Sequence, residues 1–178
     1  QNDLSYFGGD SFASGIIAAK LLLGEVGLDA DIFFAHVRFK YNEISVQMKT
    51  RELGFMDYLN KQNYKGKIHQ VEINPDDHKQ GLYHLNKIAE SNNGKIGGIV
   101  LNSRIYELVS LLEKMDNSLR SKIHLLGHDA IERNIDALKK DKISFILSQR
   151  PEVQGYDAIK ALGNYFLFKQ APQKVNYM

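Results

Sequence analysis

Short apolar runs alternate along the chain with longer stretches in which apolar residues recur every three or four positions. Residues 4–8 (LSYFG) read as a strand ending in glycines. Phe12, Ile16, Ala19 and Leu23 then fall at helical spacing, with Asp10 or Ser11 placed to cap that helix. Residues 30–37 (ADIFFAHV) have the make-up of a buried strand. After a polar loop, residues 46–61 are helical, with Met48, Phe55, Met56 and Leu59 as the apolar positions. Residues 67–73 (KIHQVEI) alternate as a strand does, 74–77 (NPDD) mark a turn, and Leu82, Leu85, Ile88 and Ala89 set the next helix. Further strands are predicted over 96–101, 123–127 and 143–148, separated by helices carrying Ile105, Leu108, Val109 and Leu112, then Ile131, Ile135 and Leu138. Pro151 suits the first position of a last helix that reaches Phe168. Pro172 stops that helix, and residues 174–178 begin another strand.

Six strands alternating with six helices through short loops predict an α/β fold: a doubly wound, mainly parallel sheet flanked by helices. No internal repeat beyond the strand–helix unit and no low-complexity linker interrupts the 178 residues. In such sheets ligands bind beyond the carboxyl ends of the strands, so the strand exits are where function should be sought.

Composition narrows the function classes. With 43% apolar and 25% charged residues the chain can build a core, which excludes intrinsic disorder. Residues 16–23 are the longest apolar run, and Lys20 interrupts it, so nothing approaches a membrane span. A net charge of +2 offers no electrostatic case for nucleic acid binding by this segment. The absence of cysteine removes disulfides, thiolate metal sites and thiol nucleophiles, and agrees with a cytoplasmic location. A first residue of Gln rather than Met suggests a segment cut from a longer protein.

The strand exits carry polar residues. The first strand ends at Gly8-Gly9-Asp10, the fourth at Asn102, the fifth at Gly127-His128-Asp129 and the sixth at Gln149-Arg150-Pro151. These groups are expected to converge on one edge of the sheet, with Arg51 reaching it from the helix after the second strand. Amides, carboxylates and a guanidinium in fixed geometry suit a small neutral polyhydroxyl ligand. Asn102 and Asp129 are equally placed to cap the helices that follow them, and spacing alone leaves both roles open. Other chemistries fare worse. Residues 8–15 (GGDSFASG) follow a strand and open a helix but match no phosphate-binding glycine pattern, and Gly15 reads more simply as a site of close helix packing. His124 and His128 do not share a helical face, so no metal site is expected. No nucleophile elbow occurs, no catalytic residue is assigned, and no cofactor is expected. The chain reads as a binding protein rather than an enzyme.

A family resemblance runs through these same residues. Residues 9–19 (GDSFASGIIAA) resemble the helix opening of type 1 periplasmic binding proteins and lactose-repressor-family effector domains. Residues 51–55 (RELGF), Asn102, residues 127–129 (GHD) and residues 148–155 (SQRPEVQG) are similar to further motifs of that family, in the same order over nearly the whole chain. The resemblance implies a two-lobed sugar-binding fold entered partway through. Residues 1–178 would then be a partial effector-binding domain, holding most of the second lobe. The opening segment of the first lobe and any DNA-binding headpiece would lie outside it. The chain would cross between lobes near Gly9, Gln149 and Pro172. By residue-to-residue match, Arg51, Asn102, Asp129 and Gln149 would bond ligand hydroxyls, Asp10 would lie by the hinge, and His78 would occupy a pocket position often held by an aromatic residue. His128 departs from the family's usual aromatic before the aspartate. The implied partners are a sugar or polyol effector, operator DNA through the headpiece, and a second copy in a homodimer. A periplasmic sugar-binding or sensor protein of the same fold is the alternative. Val153, Ile159, Leu162 and Phe166 would form an apolar stripe on the last helix that the missing lobe would cover.

Overall fold

The computed structural model describes residues 4–37 and 45–177; the expected polar loop over 38–44 and the last residue of the final strand lie outside them. The chain divides into two compact units. One comprises residues 11–147, and the other residues 1–10 with 148–178.

The larger unit holds a five-stranded parallel sheet of β2 (Ile32–Val37), β3 (Ile68–Ile73), β4 (Ile96–Ile99), β5 (Ile123–His128) and β6 (Phe145–Leu147), in the order β3-β2-β4-β5-β6. The helices between the strands are α1 (Ser11–Val26), α2 (Val46–Lys61), α3 (Lys79–Ser91), α4 (Ile105–Leu112), the single turn α5 (Asn117–Arg120) and α6 (Glu132–Lys139). The chain moves outward from β2 to β3 and then returns to β4 on the other side of β2. The strand order therefore reverses between β2 and β4, which is the switch point of a doubly wound sheet.

Every residue of β2 is buried because both faces of the sheet are covered. Ile32 and Phe34 point to one face, where Ala18, Ala19 and Leu22 of α1 and Phe55 and Leu59 of α2 pack on them. Phe33, Ala35 and Val37 point to the other, against Leu85 and Ala89 of α3 and Ile105, Leu108 and Leu112 of α4. On α1 the buried stripe runs through Gly15, Ala18, Ala19, Leu22 and Leu23, while Phe12 is 39% exposed. The stripe is set by small residues because α2 comes very close. A Cβ on Gly15 would collide with the Arg51 carbonyl, and one on Gly54 with the Phe12 carbonyl. Close helix packing is thus the role of Gly15.

The amino edge of the sheet is tied together by Asp31. Its carboxylate accepts from the Lys67 backbone N–H (2.9 Å), from His69 Nε2 (2.9 Å) and from Asn92 Nδ2 (3.1 Å). Burial works against the charge, but the bonds from His69, Lys67 and Asn92 outweigh it and hold the Asp31 pKa below its ordinary value.

The smaller unit consists of β1 (Tyr6–Gly8), α7 (Pro151–Phe168) and β7 (Val175–Tyr177). β1 and β7 pair in parallel, Tyr6 opposite Val175 and Gly8 opposite Tyr177, as a two-stranded sheet of their own. This corrects the expectation that the first strand joins the main sheet. The unit boundaries fall beside Gly9 and Gln149, but none falls at Pro172, because β7 stays with β1. α7 buries none of its residues within the chain; Ile159, Leu162 and Phe166 are exposed, and Val153 is half-buried.

Candidate ligand-binding site

The structure divides the candidate residues between the two units. Arg51, Asn102, Asp129 and His78 belong to the larger one, Asp10 and Gln149 to the smaller.

In the larger unit the β4 exit is the centre of the arrangement. Regular pairing of β4 stops at Ile99, two residues before the predicted end of the strand. Beyond it, buried carbonyls must find other donors. Val100 O accepts from His128 Nδ1 at 3.1 Å, and Leu101 O accepts from Arg51 Nη1 at 2.6 Å. Arg51 is only 4% exposed, held where α2 presses against α1 at Gly15. The expectation that its side chain reaches this edge from α2 is met, and part of its bonding capacity serves the backbone.

Asn102 follows directly. Its Oδ1 accepts the Arg104 N–H at 3.0 Å, a turn that leads into α4, while Nδ2 lies 3.8 Å from Met48 Sδ of α2. The side chain is half-buried. Turn formation and a place at the strand exit are therefore combined in one residue, with the oxygen engaged locally.

Asp129 turns the chain out of β5 with φ 67°, in the left-handed region that aspartate tolerates better than most residues. Its N–H donates to Leu147 O at 2.8 Å, tying the β5 exit to the end of β6. Helix α6 begins at Glu132 with Ile131 at the cap position, without a side-chain cap bond. The capping role considered for Asp129 is therefore not the one its position supports. His78 precedes α3, and its Nδ1 meets Lys114 Nζ beyond α4.

His128 is fully buried, and its pKa is pushed down to about 4. Burial is the main cause, the Arg51 charge adds to it, and the Val100 hydrogen bond and the Asp129 charge oppose it. The ring is therefore neutral at pH 7. Since Val100 O can only accept, Nδ1 carries the proton, and Nε2 is left to accept the Ser14 hydroxyl at 3.3 Å. This fixed tautomer links β5, β4 and α1.

Sequence reasoning passed over Asn134. It is fully buried on α6, and its Nδ2 donates to Ser103 O (2.9 Å), Asp129 O (2.9 Å) and His128 O (3.3 Å). The available signal was its position three residues after Ile131 and four before Leu138, on the inward arc of an amphipathic helix.

In the smaller unit Gln149 lies beside Gly9: its Oε1 is 3.5 Å from where a Gly9 Cβ would stand, and its backbone carbonyl accepts from Gln154 Nε2 at 2.6 Å. Asp10, next to Gly9, is half-buried. Among the described residues no group of three His, Asp or Glu side chains is disposed to hold a metal ion. No helix among them is long and apolar enough to cross a membrane.

A doubly wound sheet with half-buried amide and carboxylate groups at adjacent strand exits defines a binding fold for small polar molecules. The periplasmic binding protein domain matches residues 1–170, and the chain belongs to that family. Among solved structures it is similar to a Bacteroides fragilis protein described as a LacI transcriptional regulator, at 29% identity and a TM-score of 0.82, covering 98% of this chain and 60% of that one. It is also similar to an Actinobacillus succinogenes 130z ABC transporter periplasmic solute-binding protein with bound D-allose. There the identity is 22% and the TM-score 0.74, covering 98% of this chain and 59% of that one. A third is an Agrobacterium vitis ABC transporter solute-binding protein bound with α-D-tagatopyranose, at 21% identity and a TM-score of 0.77, covering 98% and 56%. The chain thus spans about 60% of the length of these relatives. No curated protein sequence matches it.

Proposed function

We propose that the chain is the effector-binding part of a lactose-repressor-type transcriptional regulator, binding a sugar or related polyol without transforming it. The observation that carries this reading is the likeness to the Bacteroides fragilis regulator over 98% of the chain, at higher identity than the two sugar-bound neighbours. In this reading Arg51, Asn102, Asp129 and Gln149 bond ligand hydroxyls, Asp10 lies by the hinge, and His78 occupies a pocket position. Residues 1–178 are then a partial domain. A headpiece that meets operator DNA, a homodimer and a cytoplasmic location belong to the same proposal.

A second reading, a periplasmic sugar-binding or sensor protein, is favoured by the neighbours with bound D-allose and α-D-tagatopyranose. The gene sequence upstream of Gln1 separates the two: a helix-turn-helix supports the regulator, and a secretory signal supports the periplasmic protein.

Ligand class is tested by thermal shift and calorimetric titration with D-allose, D-tagatose and other monosaccharides, against a nucleotide panel. A ligand at a hundred times its Kd stabilises a folded protein by about 2.7 kcal/mol, so a true sugar ligand raises the melting temperature measurably. Stabilisation by nucleotides and by none of the sugars would overturn the proposal.

A further inference from the structure

We infer that Asn134 is a positioning residue that locks the Asn102 and Asp129 loops into one geometry; its relevance to ligand binding rests on the sugar-binding reading above. Both loops lie beyond regular strand pairing, one after β4 and one after β5. Left to themselves, such exits hold their carbonyls by water and move independently. Here one buried amide spans them. Asn134 Nδ2 reaches Ser103 O, next to Asn102, and also the carbonyls of His128 and Asp129. Two N–H groups shared among three carbonyls fix the orientation of the amide, since a flipped side chain would set Oδ1 against three acceptors.

Stability alone does not explain an asparagine here. The other buried position of α6 is Ala137, and the adjoining faces are apolar. Asn134 Oδ1 is buried with no partner among the described residues, an unfavourable state for a polar atom. What the residue gains is the set of bonds from Nδ2, and these go to the two loops carrying candidate ligand groups. His128 and Arg51 hold the same β4 exit three and two residues before Ser103, at Val100 and Leu101. Asn134 is the member of this trio that joins Ser103 to the Asp129 backbone.

Amide exchange read by NMR on the 178-residue chain tests this without any ligand. The reporters are the Arg104 N–H, which donates to Asn102 Oδ1, and the Asp129 N–H, which donates to Leu147 O. In Asn134→Leu, with the same branching of heavy atoms but without donors, both amides should exchange at least about tenfold faster while the β2 and α1 amides keep their wild-type rates. Asn134→Ser, smaller and still polar, serves as the second variant and should show the same local pattern. Acceleration spread evenly over the larger unit, unchanged Arg104 and Asp129 rates in a folded variant, or failure of both variants to fold would each overturn the positioning role. A parallel titration with D-allose and D-tagatose should show at least about tenfold weaker binding in the variant for whichever sugar the wild type binds. If the wild type binds neither these nor any other monosaccharide, the ligand reading fails while the exchange result still decides the role of Asn134.

Discussion

Acidification should destabilise this protein through one buried imidazole. His128 has a folded pKa of about 4 against an ordinary 6.5. Between those values the unfolded chain binds a proton that the folded chain refuses, so stability rises with pH there. The contribution is fully present above about pH 6.5 and is lost as pH falls toward 4. At about 1.4 kcal/mol per pH unit, the loss amounts to about 3 kcal/mol. The physical cause is visible in the surroundings. A protonated ring would lose the bond that Nε2 accepts from Ser14 and would place a second cation near the buried Arg51 guanidinium. Urea unfolding at pH 7.5, 6.5, 5.5 and 4.5 measures the effect in the wild type and in His128→Gln, which cannot titrate. His124 is also held below its ordinary pKa, burial opposing its charge, and it is present in both proteins as a common background. The lowered carboxylates, Asp31 among them, lose their contribution below this window, near and under pH 4. The difference between wild type and variant should therefore shrink steadily from pH 6.5 to 4.5. Parallel curves over that range would refute the reasoning, as would an imidazole resonance of His128 titrating near 6.5.

Four further outcomes are expected. Asp129→Ala should weaken binding of any sugar ligand by at least roughly tenfold, since a carboxylate accepting hydroxyls contributes about 1.5–3 kcal/mol per bond; calorimetry showing intact affinity with lowered stability would remove it from the site. Gly15→Val should destabilise by about 2–3 kcal/mol or prevent folding, because its side chain meets the backbone of α2; an unchanged melting temperature would contradict the close approach. Asp31→Leu should cost about 3 kcal/mol in denaturant unfolding at pH 7, by stranding the three donors that meet its carboxylate. The exposed stripe of Ile159, Leu162 and Phe166 should drive concentration-dependent association in sedimentation, and Ile159→Glu with Phe166→Glu should abolish it; a clean wild-type monomer at high concentration would count against this.

Local pattern determined most of the architecture. Residues 46–61 and 151–168 fold as the helices their spacing predicts, and the parallel doubly wound order follows from alternation and short connections. Periodicity reports which face of an element is buried, and that is a local property. The four-residue α5, with Leu119 its one apolar side chain, falls below what a period can show. The partner of β1 was equally hidden: Tyr6 pairs with Val175 across almost the whole chain, and nothing in five residues of alternating pattern says which sheet they join. The family resemblance picked out Arg51, Asn102 and Asp129, but their working geometry is tertiary. Whether Asp129 caps a helix depends on its left-handed backbone and on α6 starting three residues later. That His128 is neutral depends on burial and on a guanidinium delivered from α2, and that Asn134 joins two strand exits depends on α6 packing beneath both. These roles arise where carbonyls distant in sequence are brought to one buried donor. Such meetings are decided by packing, and the order of residues alone does not contain them in readable form.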